Sequence, residues 1–362
     1  MLGAYHELGH GLNGATAGVA AEHVNVLRVF AGPQHRRSPW TARRTARAVA
    51  ACRPQVIHCL SGEAALCLLE ARNRFAAPPL PFVVSLTGTD LGRLGCSVEG
   101  LNRIREVLRE ARRIIVDSET ASASLLGSRF LEKIARGKVT VVRPQVPLDD
   151  VQPLGPRSAE EAARDPRLHV VFIGPFVERQ GLAFLIEAVA RMVQNAAQGS
   201  PGERGAALRL VGSGPMARPA RALARHLGIA ESVQVVQGVT ALPALLAELR
   251  GADVFACPSI TASGGDWEPG APPALLLALA AAVPVVATRH GGIPESIEDG
   301  RTGFLAEEHD VGALVAALVR VRDDPALSRK VALAGREHVG REHSPQTAEE
   351  ALESVYQSAA SL

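Results

Sequence analysis

Short apolar runs alternate along the chain with longer stretches in which apolar residues recur every three or four positions. The first pattern predicts buried strands, and the second predicts helices with one face against a core. The predicted strands cover residues 23–30, 54–59, 81–86, 113–116, 138–142, 168–173, 207–211, 233–236, 254–257 and 284–287. The predicted helices cover residues 63–72, 101–112, 182–193, 242–249, 274–282 and 346–359, with others starting near 119 and 294 and two after 310. Strands separated by helices pair in parallel, so the pattern indicates an α/β protein.

Residues 143–167 interrupt this alternation, because they are rich in proline and acidic residues and have no apolar period. Such a stretch is typical of a connection between domains. At 362 residues the chain is long enough for two α/β domains of ordinary size. We therefore predict an N-terminal Rossmann-like domain over 1–150, a linker over 151–167, a second Rossmann-like domain over 168–340 and a C-terminal helix over 341–362.

The stretch from 252 to 304 predicts the position of a ligand site. It contains a strand, a helix and a second strand, which together form a βαβ unit with a parallel pair. In open α/β sheets the ligand binds at the carboxyl ends of the strands. The loops 258–273 and 288–294 leave those ends, so we expect the site there.

Several short motifs in this half of the chain occur in the order found in one enzyme family. They are Gly212-Ser213-Gly214-Pro215, then Glu268 with Gly270 and Pro272, Pro284-Val285-Val286-Ala287, Gly291-Gly292-Ile293-Pro294-Glu295, and Asp299-Gly300-Arg301-Thr302-Gly303-Phe304. With these motifs the chain resembles the family 4 (group 1) glycosyltransferases over roughly residues 50–362. The resemblance implies the GT-B fold, in which two Rossmann-like domains with parallel sheets face each other across a cleft. The strand that opens the family's first domain has no counterpart here, so we expect a shortened N-terminal domain.

The resemblance also implies a function. The family's enzymes move a sugar from a nucleotide-diphosphate sugar, of UDP or GDP type, to an acceptor, with retained anomeric configuration and without a metal or cofactor. The first domain would hold the acceptor and the second the donor, and the helix over 341–362 would cross back toward the first domain.

The same resemblance selects candidate site residues. Glu268 and the backbone amides after Gly270 would bind the donor hydroxyls. Asp90, in a Thr-Gly-Thr-Asp segment where the family has His-Gly-x-Asp, is a second candidate catalytic residue, with capping of the next helix as the alternative role. Close approach of the nucleotide and phosphates would be allowed by Gly212, Gly214, Gly291 and Gly292.

The positions for the phosphate-binding cations depart from the family pattern. Pro175 and Gln180 replace an Arg and a Lys, and Leu277 replaces a second Glu. Arg179 and Arg289 are the candidate substitutes for the missing cations. If nothing substitutes, the alternative function is that of a catalytically degenerate GT-B pseudoenzyme, which binds nucleotide sugars or a protein partner.

Two motifs near the N-terminus suggest other chemistry. His6, Glu7 and His10 satisfy the HExxH pattern of zinc hydrolases, although Thr16 occupies the position of a third ligand. Residues 9–14 match GxGxxG but have no strand before them. We predict instead an amphipathic first helix without a metal, and keep a zinc hydrolase as a remote alternative.

Charge and hydropathy limit the remaining possibilities. The net charge of +2 gives no support for a nucleic-acid partner. No apolar run approaches the ~20 residues of a membrane span, and we therefore expect a cytoplasmic protein. Residues 34–53 carry six arginines around Trp40. They indicate attraction to an anionic membrane surface or to a phosphorylated acceptor, or else the solvated face of a helix.

Overall fold

The computed structural model describes residues 18–21, 24–29, 39–86, 88, 90–91, 97–146, 148–199, 205–239 and 241–361. The chain divides into two compact units. The N-terminal unit contains the described residues within 11–144, 264–270 and 345–362, and the C-terminal unit contains those within 145–263 and 271–344. The predicted first helix and the HExxH and GxGxxG motifs lie outside the described residues.

A six-stranded sheet with the order β1-β2-β3-β4-β5-β6 forms the N-terminal unit. The strands are β1 (Gly18–Ala21), β2 (Val24–Val29), β3 (Val56–Cys59), β4 (Phe82–Leu86), β5 (Arg113–Val116) and β6 (Val139–Val141). All pairs are parallel except β1 with β2, which is antiparallel. The sequence predicted neither β1 nor an antiparallel pair, because four small or apolar residues without alternation carry no strand pattern.

Helices cover this sheet, and serines cap three of them. They are α1 (Pro39–Cys52), α2 (Gly62–Phe75), α3 (Val98–Glu110), α4 (Glu119–Gly127), α5 (Glu132–Ala135) and the C-terminal helix, α14 (Pro345–Ala360). Ser61, Ser97 and Ser118 accept backbone N–H bonds at the starts of α2, α3 and α4. The C-terminal helix packs Tyr356 against the sheet, where the hydroxyl lies 2.8 Å from His58 Nδ1.

The C-terminal unit has a fully parallel sheet with the order β12-β11-β10-β7-β8-β9. Its strands are β7 (Leu168–Ile173), β8 (Ala206–Val211), β9 (Val233–Val236), β10 (Val254–Cys257), β11 (Val285–Thr288) and β12 (Phe304–Ala306). Its helices are α6 (Ala159–Arg164), α7 (Leu182–Ala197), α8 (Ala217–His226), α9 (Leu242–Arg250), α10 (Pro273–Ala280), α11 (Ile293–Ser296), α12 (Val311–Asp323) and α13 (Pro325–Glu342).

The apolar runs that predicted the central strands supply two cores, one on each face of the sheet. Successive side chains of a strand point to opposite faces. Thus Val170 and Phe172 of β7 enter the core that contains α7, α8 and α12, while Val171 and Ile173 enter the core that contains α9 and α10. Strands buried on both faces have continuous apolar runs in the sequence, which explains why β7 and β10 begin and end where the sequence predicted. The partly exposed edge strand β9 also has its predicted bounds.

The stretch predicted as a linker contains a short helix. Ser158 and Glu161 form a capping box that starts α6 within it. Val151 and Leu154 are buried in the C-terminal unit, and Leu154 N donates to Ala281 O at 2.7 Å. The connection is therefore anchored to the unit that follows it.

Candidate functional site

The strand order of the C-terminal unit reverses between β7 and β10. From β7 the chain moves outward through β8 and β9, and from β10 it moves outward in the other direction through β11 and β12. Ligands of open α/β sheets bind outside the carboxyl ends of the strands at such a reversal. The loops at this point are 174–181 after β7 and 258–263 after β10, and they form the centre of the candidate site.

Two glycines let the loop after β8 lie directly on the loop after β7. Gly212 and Gly214 have φ angles of 151° and 149°. A Cβ on Gly212 would overlap the carbonyl oxygen of Gly174, and one on Gly214 would lie 2.9 Å from the backbone nitrogen of Phe176. A hydrogen bond from Phe176 N to Ser213 O, at 2.7 Å, joins the two loops. The predicted nucleotide turn is therefore part of the switch-point structure.

Arg179 lies in a 3₁₀ turn, Glu178–Gln180, that leads into α7. Arg179 is only 7% exposed, and its backbone carbonyl accepts a hydrogen bond from Ile260 N at 2.8 Å. Gly181 follows with a left-handed φ of 65° and packs against Pro258. The turn thus connects the two switch-point loops at the start of α7, where the helix dipole favours an anion.

The loop 258–263 is fixed by two carboxylates from other loops. Glu178 Oε1 accepts from Ser263 N at 2.9 Å, and Glu308 Oε2 accepts from Thr261 N at 2.7 Å. The other Glu308 oxygen lies 2.7 Å from Nδ1 of the buried His290. Glu308 therefore joins the loops that follow β10, β11 and β12.

The ionised state of Glu308 matches this role. Burial raises the pKa of its carboxyl, but the hydrogen bonds from Thr261 N–H and His290 lower it more, so the net pKa is below the ordinary value. An ionised carboxylate only accepts hydrogen bonds, which assigns the proton of His290 to Nδ1. The pKa of Glu178 is likewise lowered, chiefly by the hydrogen bond from Ser263.

Arg289, Gly291 and Gly292 follow β11. Two carboxylates surround the Arg289 guanidinium, Asp299 at 2.6 Å and Glu307 at 3.2 Å. These contacts involve Nη2 and Nε of the guanidinium, so a phosphate at Arg289 would have to compete with two negative charges. Gly291 has a left-handed φ of 51°, and Gly292 precedes the short helix α11.

The two glycine pairs lie at the same edge of the sheet but are not adjacent. Strands β10 and β7 separate the end of β11 from the end of β8. Three strand spacings correspond to roughly 14 Å. A ligand that extends along this edge would be able to contact both pairs.

Glu268 and Gly270 belong to the N-terminal unit. The Glu268 carboxylate lies against Gly88, just after β4, since a Cβ on Gly88 would overlap Oε1. A Cβ on Gly270 would lie 2.5 Å from Asp117 Oδ2, just after β5. Between them, Pro269 O accepts a hydrogen bond from Ser118 Oγ at 2.8 Å. This segment therefore follows the carboxyl edge of the parallel pair β4–β5.

Asp90 is 5% exposed and serves a helix other than the one considered from the sequence. Its Oδ1 accepts a hydrogen bond from Gly62 N at 3.0 Å, at the first residue of α2. The carboxylate thus caps α2 from a neighbouring loop and complements its dipole. Glu268 and Asp90 follow the same strand edge, because both lie near the end of β4.

Sequence reasoning missed Glu308, His290 as its partner, and Asp117. Glu308 stands in a run of acidic residues after β12 and contacts residues 18 and 47 positions away. No local pattern encodes such contacts. Asp117 had a usable indication, because it follows a buried strand directly and precedes a serine helix cap.

Residues 167–324 match the family model described as Glycosyl transferases group 1. The GDP-mannose-dependent alpha-(1-6)-phosphatidylinositol monomannoside mannosyltransferase of Mycolicibacterium smegmatis is 35% identical over 167 residues, which are 46% of this chain and 42% of that protein. The D-inositol 3-phosphate glycosyltransferase of Mycobacterium sp. (strain KMS) is 32% identical over 255 residues, 67% of this chain and 53% of that protein. The chain thus spans about half the length of these curated relatives.

A solved structure extends the comparison to nearly the whole chain. HepE of Anabaena in complex with UDP-glucose matches with a TM-score of 0.71 at 17% identity, covering 93% of this chain and 92% of that one. At this identity the match shows the fold, which is GT-B. In the part of the chain that the structure describes, no helix has both the length and the apolarity to span a bilayer.

Proposed function

Because residues 167–324 form a domain of the glycosyl transferases group 1 family, we propose that the protein transfers a sugar from a nucleotide-diphosphate sugar to an acceptor. The observation that carries the proposal is the switch point between β7 and β10, where a buried arginine, a helix start and closely packed glycine loops meet. The donor would lie along this edge of the sheet.

The chemistry requires positive charge at this place. Transfer breaks the bond between the anomeric carbon and the diphosphate oxygen, forms a bond to the acceptor oxygen, and releases the acceptor's proton. Negative charge therefore grows on the leaving diphosphate. Arg179 and the N-terminus of α7 are the groups of the switch point that would stabilise this charge, in place of the cations that Pro175 and Gln180 do not supply.

The names of two relatives support a proposal for the donor class. HepE holds UDP-glucose, and the Mycolicibacterium smegmatis relative is named as GDP-mannose-dependent. We propose a UDP- or GDP-sugar donor, retention of anomeric configuration and no requirement for a metal or cofactor. Glu268 would bind the donor hydroxyls, and Asp90 would act through the loop that it holds at the start of α2.

Calorimetric titration with UDP-, GDP- and ADP-sugars tests donor binding. We expect one UDP- or GDP-sugar to bind the wild-type protein and Glu268→Ala to abolish that binding. If Glu268→Ala binds the donor like the wild type, the assignment of Glu268 is wrong.

Release of free nucleoside diphosphate from the bound donor tests turnover. We expect release to continue in excess chelator, because no metal takes part in the proposed step. A protein that binds the donor but never releases nucleoside diphosphate, with or without a panel of sugar and lipid acceptors, is the pseudoenzyme and contradicts the proposal.

A further inference from the structure

Helix α1 exposes one face that is basic and carries a single large aromatic residue. Trp40, Arg43, Arg44 and Arg47 are spaced at i, i+3, i+4 and i+7, so they share one side of the helix. The opposite side packs into the unit through Ala42, Thr45, Ala46 and Val49. The face therefore points away from the core.

The tryptophan on this face is prominent. Trp40 is 59% exposed, and the Arg44 guanidinium lies 4.8 Å from the centroid of its ring. A large aromatic side chain in this state leaves much apolar surface in contact with water. Tryptophan is the residue that bilayer interfaces favour, because its ring is apolar and its N–H is polar.

Within α1 and α2, both of which the structure describes, no acidic residue pairs with the arginines of the face. The sequence of α1 contains neither Asp nor Glu. The two acidic residues of α2, the helix that packs against α1, are engaged elsewhere: Glu63 pairs with Arg103 at 3.3 Å and Glu70 with Arg74 at 3.0 Å. The charge of the face is thus complementary to an extended anionic surface.

We propose that α1 docks the protein on an anionic lipid surface, with Trp40 at the headgroup level and the three arginines against the lipid phosphates. A basic amphipathic helix with an aromatic residue lies in the plane of the interface in this way. The arginines supply electrostatic attraction that salt screens, and the tryptophan supplies apolar contact that salt does not. This inference does not depend on the proposed sugar transfer.

Vesicle co-sedimentation of the full chain tests the proposal. The probes are vesicles of phosphatidylcholine alone and of phosphatidylcholine with an equal amount of phosphatidylglycerol. We expect binding to the anionic vesicles only. The variant Arg43→Gln/Arg44→Gln/Arg47→Gln should lose on the order of 100-fold in affinity, since each arginine near an anionic surface contributes roughly five-fold.

The matched control lies on α8, which exposes Arg218, Arg221 and Arg225 without a large exposed aromatic residue on that helix. Changing these three arginines to glutamine removes the same formal charge and should leave vesicle affinity within a few-fold of the wild type. An equal loss in both triple variants would show that net charge alone drives binding and would overturn the proposal. Thermal melts of both variants establish that each is folded.

Tryptophan fluorescence supplies a second readout. Adding anionic vesicles should shift the emission of the wild type to shorter wavelength, and Trp40→Phe should remove that shift while Trp267 remains as an internal reference. No binding to anionic vesicles, equal binding to neutral ones, or tighter binding to duplex DNA that the α1 triple variant abolishes would each contradict a lipid role.

Discussion

Gly212 follows β8 at a point where two loops touch through their backbones, and the variant Gly212→Ala would force them apart. The φ angle of 151° is one that side-chain-bearing residues rarely adopt. The new Cβ would overlap Gly174 O and lie 2.9 Å from the Phe176 ring. A carbonyl oxygen cannot rotate away as a side chain can, so the loops after β7 and β8 must separate.

The expected loss in the free energy of unfolding of Gly212→Ala has two contributions. Holding a non-glycine residue in a sparsely populated φ region costs of order 1–3 kcal/mol. Overpacking against atoms that cannot move aside costs a further 1–3 kcal/mol or so. The free energy of unfolding should therefore fall by roughly 2–6 kcal/mol. Gly228→Ala is the matched control, because Gly228 also has a positive φ, 73°, but a Cβ there meets nothing within 4 Å, leaving a cost of about 1–2 kcal/mol.

Urea denaturation of both variants measures the stability difference, and calorimetry with the donor sugar measures its consequence at the site. We expect the larger loss of stability in Gly212→Ala, and a loss of donor affinity in that variant alone. Equal destabilisation of the two variants would refute the steric argument. Unchanged donor affinity in a folded Gly212→Ala protein would show that the turn is not part of the site.

Three further predictions concern other parts of the molecule. Gly88→Ala places a Cβ where the flexible end of Glu268 now lies. Donor affinity measured by calorimetry should therefore fall at least ten-fold, while the free energy of unfolding changes by no more than about 1 kcal/mol. Unchanged affinity would contradict this position for the carboxylate. Because the pKa of Glu308 is lowered, its carboxylate stabilises the fold above the ordinary pKa of 4.5 and loses this effect as pH falls through the lower, folded-state value. Glu308→Gln should therefore reduce the fall of the urea midpoint on acidification below that ordinary pKa, and an unchanged pH profile would contradict its role. Tyr356→Phe removes the hydroxyl next to His58 Nδ1 and should lower the free energy of unfolding by about 1–3 kcal/mol in urea, whereas no loss would mean that water replaces that contact.

Continuous apolar runs predicted the strands well because burial on both faces of a parallel sheet requires them. The largely buried strands β5, β7 and β10 have the predicted bounds. The edge strand β9 also has them, although it is partly exposed. β1 could not be predicted, since it pairs as an antiparallel edge strand and depends on its neighbour β2 rather than on its own pattern. Helix α6 was missed because its six residues include none that is buried and so carry no apolar period, and its evidence in the sequence is the capping box of Ser158 and Glu161.

The part of the site that a sequence can encode locally is the part where backbone geometry restricts the residue type, while the role of these residues in donor binding stays a prediction. The Gly212 and Gly214 turn is encoded locally, because only glycine fits its φ angles and its close contact with the preceding loop. Side-chain partners were less predictable. The carboxylates around Arg289 and the hydrogen bonds of Glu308 depend on which strands are neighbours in the sheet, and that order is not a local property of the sequence.

The most direct test of the central claim is calorimetric titration of the donor sugar into the wild type, Arg179→Gln, Arg179→Lys and Arg191→Gln. Arg191 is an exposed arginine of α7, the helix that follows Arg179. If the switch point holds the diphosphate, Arg179→Gln loses on the order of 10² in affinity, Arg179→Lys recovers part of it, and Arg191→Gln binds like the wild type. Wild-type affinity in a folded Arg179→Gln protein would contradict the placement of the diphosphate between β7 and β10.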